Sequence, residues 1–199
     1  MTALRIGCLA WGSLLWDPRS LPRAGGFRED GPALPIEFSR VSTDGRVTLV
    51  IDPGAPDIET FWVPLAVGSL DEAVARLGAR ERVAPARWPS WIGRRLKSDP
   101  SRSPGGDVGE VVARIDRWLA RSDLDAVVWT ALPSRLPDGR PGRPGVDALV
   151  AHLEGLEGAA RRRAEEYIRR APTRLRTPNR LHFEARLGWL AVASDPGRP

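Results

Sequence analysis

Two short stretches of this chain carry residue types able to do chemistry together. The first is Trp11-Gly12-Ser13-Leu14, where an apolar segment runs into a glycine turn, and a glycine lets bare backbone N–H groups come close to an oxygen. The second is Glu81, a lone carboxylate between Arg80 and Arg82 that can take up and return protons. Main-chain donors for a developing oxyanion and one proton-moving carboxylate are what amide cleavage needs when the substrate supplies its own nucleophile.

Each candidate also has a plainer role open to it. Glu81 can be a surface ion-pair residue between its two arginines. Ser13 can be read as a nucleophile, but only His152 and His182 could serve as its base, and neither sits in a recognisable motif. Arg40 can grip a substrate carboxylate through its two-pronged guanidinium, or pair with Asp44 or Glu37. Trp129 and Thr130 can bring an aromatic wall and a hydroxyl to a cavity, or pack in the core. Trp11 and Trp16 read as core residues, with Trp11 also able to wall a pocket. Cys8 reads as an inert core thiol. One cysteine and two distant histidines give no metal-ligand spacing, and no phosphate loop or dinucleotide glycine pattern is present, so no metal and no cofactor is expected.

The elements that must hold these residues follow from pattern. Residues 4–10 are apolar enough for a buried strand that ends at Gly12-Ser13. Residues 34–38 and 46–51 read as two strands joined through Thr43-Asp44-Gly45, since Asp-Gly is a strong hairpin signal. Residues 59–67 make a fourth strand. Ser69 followed by Glu72 is a capping box, and Leu70, Val74 and Leu77 give the stripe of a short helix ending near Gly78, which leaves Glu81 just past its C-terminus. Residues 85–107, rich in Pro, Arg, Ser and Gly, read as a long loop containing Trp88 and Trp91. A helix over 108–120 and a buried strand over 125–132 come next. After a Pro/Gly-rich break, an amphipathic helical pattern runs from Val146 to Ile168, with Gly155 and Gly158 as places where it can split. One more apolar run, residues 187–192, precedes a tail of Ser, Asp, Pro and Gly.

At 199 residues and 42% hydrophobic content the chain fits one domain with an elaboration. Its net charge of +5 raises nucleic-acid binding, but the basic residues are spread out, Lys97 is the only lysine, and no nucleic-acid motif accompanies them. The densest group, Arg161-Arg162-Arg163 with Arg169-Arg170, alternates with Glu157, Glu165 and Glu166, as on a solvated helix face. No stretch is apolar enough to span a membrane, and no basic region followed by an apolar run opens the chain, so the sequence reads as a cytoplasmic protein. It assigns no oligomeric state.

Taken together, residues 4–82 resemble the γ-glutamylcyclotransferase superfamily, nearest its ChaC-type branch. That family opens with a Tyr-Gly-Ser-Leu loop, matched here by Trp11-Gly12-Ser13-Leu14 and followed by Leu15-Trp16. Its second signature, a Ser-Thr-Asp turn before a Gly-Arg-Val-Val-Thr-Leu strand, is matched by Ser42-Thr43-Asp44-Gly45-Arg46-Val47-Thr48-Leu49. The third, an Arg-Glu pair closing the helix after the fourth strand, is matched by Arg80-Glu81. The chain departs from the pattern at Trp11, lacks the Gly-Gly-Tyr that follows the Arg-Glu pair, and carries nothing comparable over residues 140–199. The resemblance implies a mixed α/β (α+β) fold with a small barrel of five to seven strands in residues 1–135, and the amphipathic pattern from Val146 adds a helical C-terminal elaboration over 136–199 on the same domain. The resemblance also implies cyclisation of a small γ-glutamyl compound to 5-oxoproline, with Glu81 as acid/base and the residue 11–14 loop as anion cradle. The same fold kept as a non-catalytic binding module for a small metabolite or a protein is the alternative.

Overall fold

In the computed structural model, which describes residues 4–99 and 109–192, the Asp44-Gly45 pair turns the chain where its sequence predicts. Gly45 has a φ of +86°, a left-handed conformation that glycine adopts without steric cost, and the turn closes through Gly45 N–H to Ser42 O at 3.0 Å. It joins β2 (Ala33–Val41) to β3 (Val47–Ile51) in an antiparallel pair with an irregularity between Phe38 and Arg40. The protein is α+β, with two sheets and six helices among the described residues.

The chain divides into two compact units whose segments alternate along the sequence. One comprises the chain up to Ala10 with Asp17–Leu34 and Glu59–Leu132; the other comprises Trp11–Trp16, Pro35–Ile58 and the chain from Pro133. The first unit is built on β1 (Ile6–Ala10), every residue of which is buried. It pairs antiparallel with β5 (Phe61–Pro64) and parallel with β7 (Ala126–Thr130), and β7 pairs antiparallel with β6 (Ile92–Leu96). Successive residues of β1 and of β7 are buried, so both faces of these strands are covered, which is why they read as continuous apolar runs. Helix α1 (Leu70–Arg80) packs on β6 and β7. A four-residue helical turn, α2 (Trp88–Trp91), leads into β6, and α3 (Gly109–Arg121) follows. Trp118 on α3 meets Trp62 on β5 edge to face at 5.7 Å, and Asp30 accepts both indole N–H groups at 2.7 Å, one through its carboxylate and one through its carbonyl.

The three-stranded sheet has the order β3-β2-β4, with β4 spanning Asp57–Glu59. The second unit adds α4 (Val146–Glu154), α5 (Gly158–Arg170) and α6 (Pro178–Leu187). The pattern from Val146 onward does split, with Gly155 as the C-cap of α4. Phe38 on β2 anchors the interior, meeting Tyr167 of α5 at 6.3 Å and Phe183 of α6 at 5.8 Å, both edge to face.

The sequence reading is corrected here in three places. The seven strands form one four-stranded and one three-stranded sheet, and among the described residues no ladder closes either into a barrel. The outer edge of β5 is covered by separate backbone contacts, Ala24 N–H to Pro64 O at 2.8 Å and Arg28 N–H to Trp62 O at 2.7 Å. Those contacts blunt the edge that a further barrel strand would occupy. The segment read as a loop over 85–107 carries a 3-10 turn (Pro85–Arg87), α2 and β6, with residues 100–107 outside the described part. β6 escapes pattern reading because Arg95, 4% exposed, sits where an apolar residue is expected, neutralised by Asp116. Helix α6 also went unread, although Thr177 caps it by accepting Arg180 N–H at 3.2 Å, Pro178 begins it, and Gly188 ends it with φ +70°.

A buried carboxylate ties α6 to β2. Glu37, 1% exposed, accepts N–H groups from Phe38 at 2.7 Å and Asn179 at 3.2 Å. Burial pushes its pKa above the ordinary value of 4.5 despite those bonds, and Asp52 adds to the rise. A folded-state pKa above the unfolded one favours folding while the group is protonated in both states. That contribution is lost as pH rises from about 4.5 through the raised value. Chemical unfolding across this range is therefore expected to show wild type losing stability relative to Glu37→Gln as pH rises; a constant difference would contradict the assignment.

Candidate functional site

Glu81 is placed by the way α1 starts and stops. Ser69 accepts Glu72 N–H at 3.1 Å while Glu72 reaches back to Gly68 N–H at 3.0 Å, satisfying donors that the first turn leaves open. At the other end Val83 N–H bonds Gly78 O at 2.9 Å and Arg82 N–H bonds Ala79 O at 3.1 Å, with Arg82 left-handed at φ +56°. This is the six-to-one and five-to-two bonding of a Schellman motif, with an arginine where glycine is usual. Trp88, from the segment read as a loop, seals it. A Cβ on Gly78 would lie 2.3 Å from Trp88 Nε1, and that nitrogen donates to Val83 O at 2.9 Å.

Glu81 is the C-cap residue of this motif and its side chain is 18% exposed. Its Oε1 accepts from Arg80 Nη1 at 2.6 Å, while Arg80, itself 3% exposed at the side chain, donates its Nη2 to Asp17 O. Arg19 in turn donates to Arg80 O at 3.1 Å. The negative end of the helix dipole opposes a carboxylate here, so the buried guanidinium is the group that holds it. Cys8 on β1 feels the same charges. Burial pushes its thiol far above the ordinary range, Glu81 adds to the rise and Arg80 opposes it. The thiol stays protonated, which removes it as a nucleophile.

In the second unit Gly12 enters a short 3-10 turn, Ser13–Leu15. Trp11 and Leu14 are buried, Gly12 and Ser13 half-buried. Leu15 N–H and Trp16 N–H bond Gly12 O and Ser13 O, whereas the N–H groups of Gly12 and Leu14 take no part in the turn's own hydrogen bonds. Tyr167, the chain's single tyrosine, presses its hydroxyl against this turn: a Cβ on Gly12 would lie 2.5 Å from it. Leu49 N–H donates to the same hydroxyl at 3.4 Å, Trp16 meets the ring edge to face at 5.3 Å, and the Arg46 guanidinium lies 5.4 Å from its centroid. Arg46 is held by Asp44, which Ser42 also bonds. Two of the three landmark segments, 11–14 and 42–49, therefore meet at Tyr167. Tyr167 falls inside the amphipathic stripe that runs from Val146 to Ile168. A lone tyrosine in that stripe brings a polar tip that has to find a partner.

Gly12→Ala is expected to destabilise the protein by about 1–3 kcal/mol, the usual cost of overpacking. Tyr167→Phe in the same chain should recover part of that loss, because it removes the atom the methyl strikes. Urea unfolding of the two single variants and the double variant measures this, and strict additivity would count against the contact.

The remaining candidates are placed as follows. Trp129 is buried in the first unit with its indole over Gly93, its cross-strand partner on β6, where a Cβ would lie 2.1 Å from the ring. Arg40, half-buried in the second unit, donates to Pro133 O at 2.6 Å. Neither carboxylate named for it is waiting: Asp44 is bound by Ser42 and Arg46, and Glu37 by backbone of β2 and α6. His152 Nε2 lies 2.8 Å from Gly45 O. Trp88 and Trp91 are half-buried, the latter under the Arg87 guanidinium at 5.1 Å. The basic run on α5 is interleaved with glutamates as its sequence suggests, Arg169 pairing with Glu165 at 2.8 Å and Arg170 with Glu166 at 3.0 Å. Among the described residues no group of three or more His, Cys, Asp or Glu is placed to hold a metal ion, and no helix is long and apolar enough to cross a membrane. Comparison with family models, curated proteins and solved structures finds no match for this chain.

Proposed function

We propose that this protein is a cytoplasmic cyclotransferase that cleaves a small γ-glutamyl amide or peptide, releasing 5-oxoproline and a free amine. In this reaction the substrate's own α-amine attacks its γ-carbonyl carbon, and the bond from that carbon to the amide nitrogen breaks. The nucleophile is tethered, so proximity is already supplied. Glu81 takes a proton from the attacking nitrogen and delivers one to the departing nitrogen. The observation that carries the reading is Glu81 itself, a sheltered carboxylate at a built helix end, held by one buried arginine. The three sequence landmarks in order, two of them meeting at Tyr167, add support. Likeness to the family rests on these local motifs and not on a closed barrel.

A panel of γ-glutamyl amines, γ-glutamyl dipeptides and glutathione, read by 5-oxoproline release, tests the proposal. Turnover of at least one member is expected; binding with no release from any member would favour the non-catalytic module. One observation speaks for that second reading: Trp11, in place of the family's loop tyrosine, is only 3% exposed.

A further inference from the structure

Asp52, a carboxylate just past β3, lies outside the proposed chemistry, and its side chain is only 4% exposed. Its Oδ1 accepts Gly54 N–H at 3.1 Å, but its Oδ2, also buried, receives no hydrogen bond among the described residues. What balances that oxygen is the charge of Arg143, whose Nε lies 2.9 Å away and whose side chain is 51% exposed. Gly54 leaves the guanidinium its seat, since a Cβ there would collide with Arg143 Nη1. Depriving a buried carboxylate of its cation is strongly destabilising, so the contact matters to whatever carries Arg143.

Arg143 is carried by a small hairpin that holds its own shape. Arg135 bridges Pro141 antiparallel, Leu136 N–H bonds Arg140 O at 2.9 Å, Gly139 N–H bonds Leu136 O at 3.0 Å, and Gly142 N–H bonds Ser134 O at 3.3 Å. Gly139 and Gly142 take φ values of +87° and +144°, which other residues resist. The near end of the hairpin joins the three-stranded sheet. There Arg135 forms a parallel bridge with Arg40, through Val41 N–H to Arg135 O at 3.0 Å and Arg135 N–H to Ser39 O at 3.1 Å, and the Ser39 and Ser134 hydroxyls lie 3.0 Å apart. The far end rests on little. Pro137, Asp138, Arg140, Pro141, Gly142 and Arg143 are exposed, so scant apolar burial holds this stretch and the ion pair fastens it. The next residue, Pro144, is buried and marks where the chain rejoins the interior. Segments with few buried contacts are the ones that open locally.

We propose that residues 133–143 are a strap that opens as a unit from the three-stranded sheet, with the Arg143–Asp52 ion pair as its catch. Because Arg143 is half exposed, salt reaches the catch and loosens it, so ionic strength sets how often the Ser39–Val41 edge of β2 is uncovered. The strap lies within the second unit and stands whether or not Glu81 is catalytic. Hydrogen exchange of the full chain, read at the Arg135 and Val41 amides against the amides of the β2–β3 ladder, tests it. In wild type the strap amides are expected to exchange faster than the ladder, and faster still as salt is raised. Arg143→Gln alone strands a buried carboxylate, so the variant to compare is Asp52→Asn with Arg143→Gln, which removes both charges. It should raise strap exchange about tenfold or more, leave the ladder within about twofold and lose the salt response. Arg140→Gln, which breaks only the exposed 2.7 Å pair with Asp138 inside the hairpin, should match wild type. Strap amides as protected as the ladder in wild type, exchange unchanged in the double variant, an equal rise in strap and ladder, a salt response that survives without the catch, or Arg140→Gln opening the strap as far would each overturn the proposal.

Discussion

Glu81→Gln is expected to cut 5-oxoproline release by about 10²- to 10⁴-fold, the usual share of a general acid/base in rate enhancement. Glutamine keeps the shape and an oxygen that can accept from Arg80 Nη1, so the helix end has the same partner in the same place. What it loses is the ability to take a proton from the attacking nitrogen and pass one to the leaving nitrogen. The change also removes the countercharge of Arg80, a guanidinium only 3% exposed, so some stability should go with it. Melting curves separate this from the chemistry. If the protein remains folded at the assay temperature and binds the substrate identified by the panel, the missing turnover belongs to proton transfer. Glu81→Asp provides a second check, because it restores the acid at a shorter reach and should recover part of the rate. Release at the wild-type rate from Glu81→Gln would take Glu81 out of the mechanism, leaving the Arg80–Glu81 pair as a helix-end structure only.

What could be read from the chain beforehand was local. The Asp44-Gly45 hairpin and the Ser69 cap of α1 depend on residues within a few positions of one another, and both form as their sequence signals indicate. The pairing of β1 with β7 is different. It joins Ile6 to Ala126, and nothing in either run names the other as its partner. Sheet order, the lack of barrel closure and the alternation of the two units are properties of such distant pairings, so local periodicity could not supply them. Buried charge hid a second class of feature. Arg95 inside β6 and Arg180 inside α6 break the apolar pattern because each carries its own neutralising partners, Asp116 for one and Glu184 with backbone carbonyls for the other. For the candidate site, the position of Glu81 just past α1 was legible. The pressure of Tyr167 on Gly12 and the pairing of Arg40 with Arg135 were not, since α5 and the 133–142 segment lie far along the chain from the residues they meet.

Arg180 sets the largest expected loss of stability. Its side chain is 1% exposed, yet it carries a full charge, and the surroundings show why the fold tolerates it. Nη1 donates to Pro172 O at 2.6 Å and Leu175 O at 3.2 Å, Nη2 donates to Ala171 O at 2.8 Å, and Nε reaches Glu184 at 3.2 Å. The three carbonyls belong to the connection between α5 and α6, a stretch with no ladder of its own to satisfy them. Arg180→Met fills similar space but removes the donors to Ala171 O and Leu175 O, leaves Pro172 O with Leu175 N–H alone, and takes the cation from Glu184. The expected loss is about 3–5 kcal/mol, which for a chain of this size lowers the melting temperature by roughly 10 °C or more. The charge pair and the carbonyls can be told apart. If neutralising Glu184 were the main task of Arg180, then Arg180→Met with Glu184→Leu would recover most of the stability, as replacement of an entire buried ion pair often does. Because the carbonyls are the chief partners, the double variant should remain nearly as unstable as Arg180→Met alone. Arg180→Lys should fall between, since one ammonium cannot span three acceptors that a planar fork reaches. Urea unfolding that puts Arg180→Met within about 1 kcal/mol of wild type, a loss no larger than one ordinary hydrogen bond, would show that the connection finds its donors elsewhere.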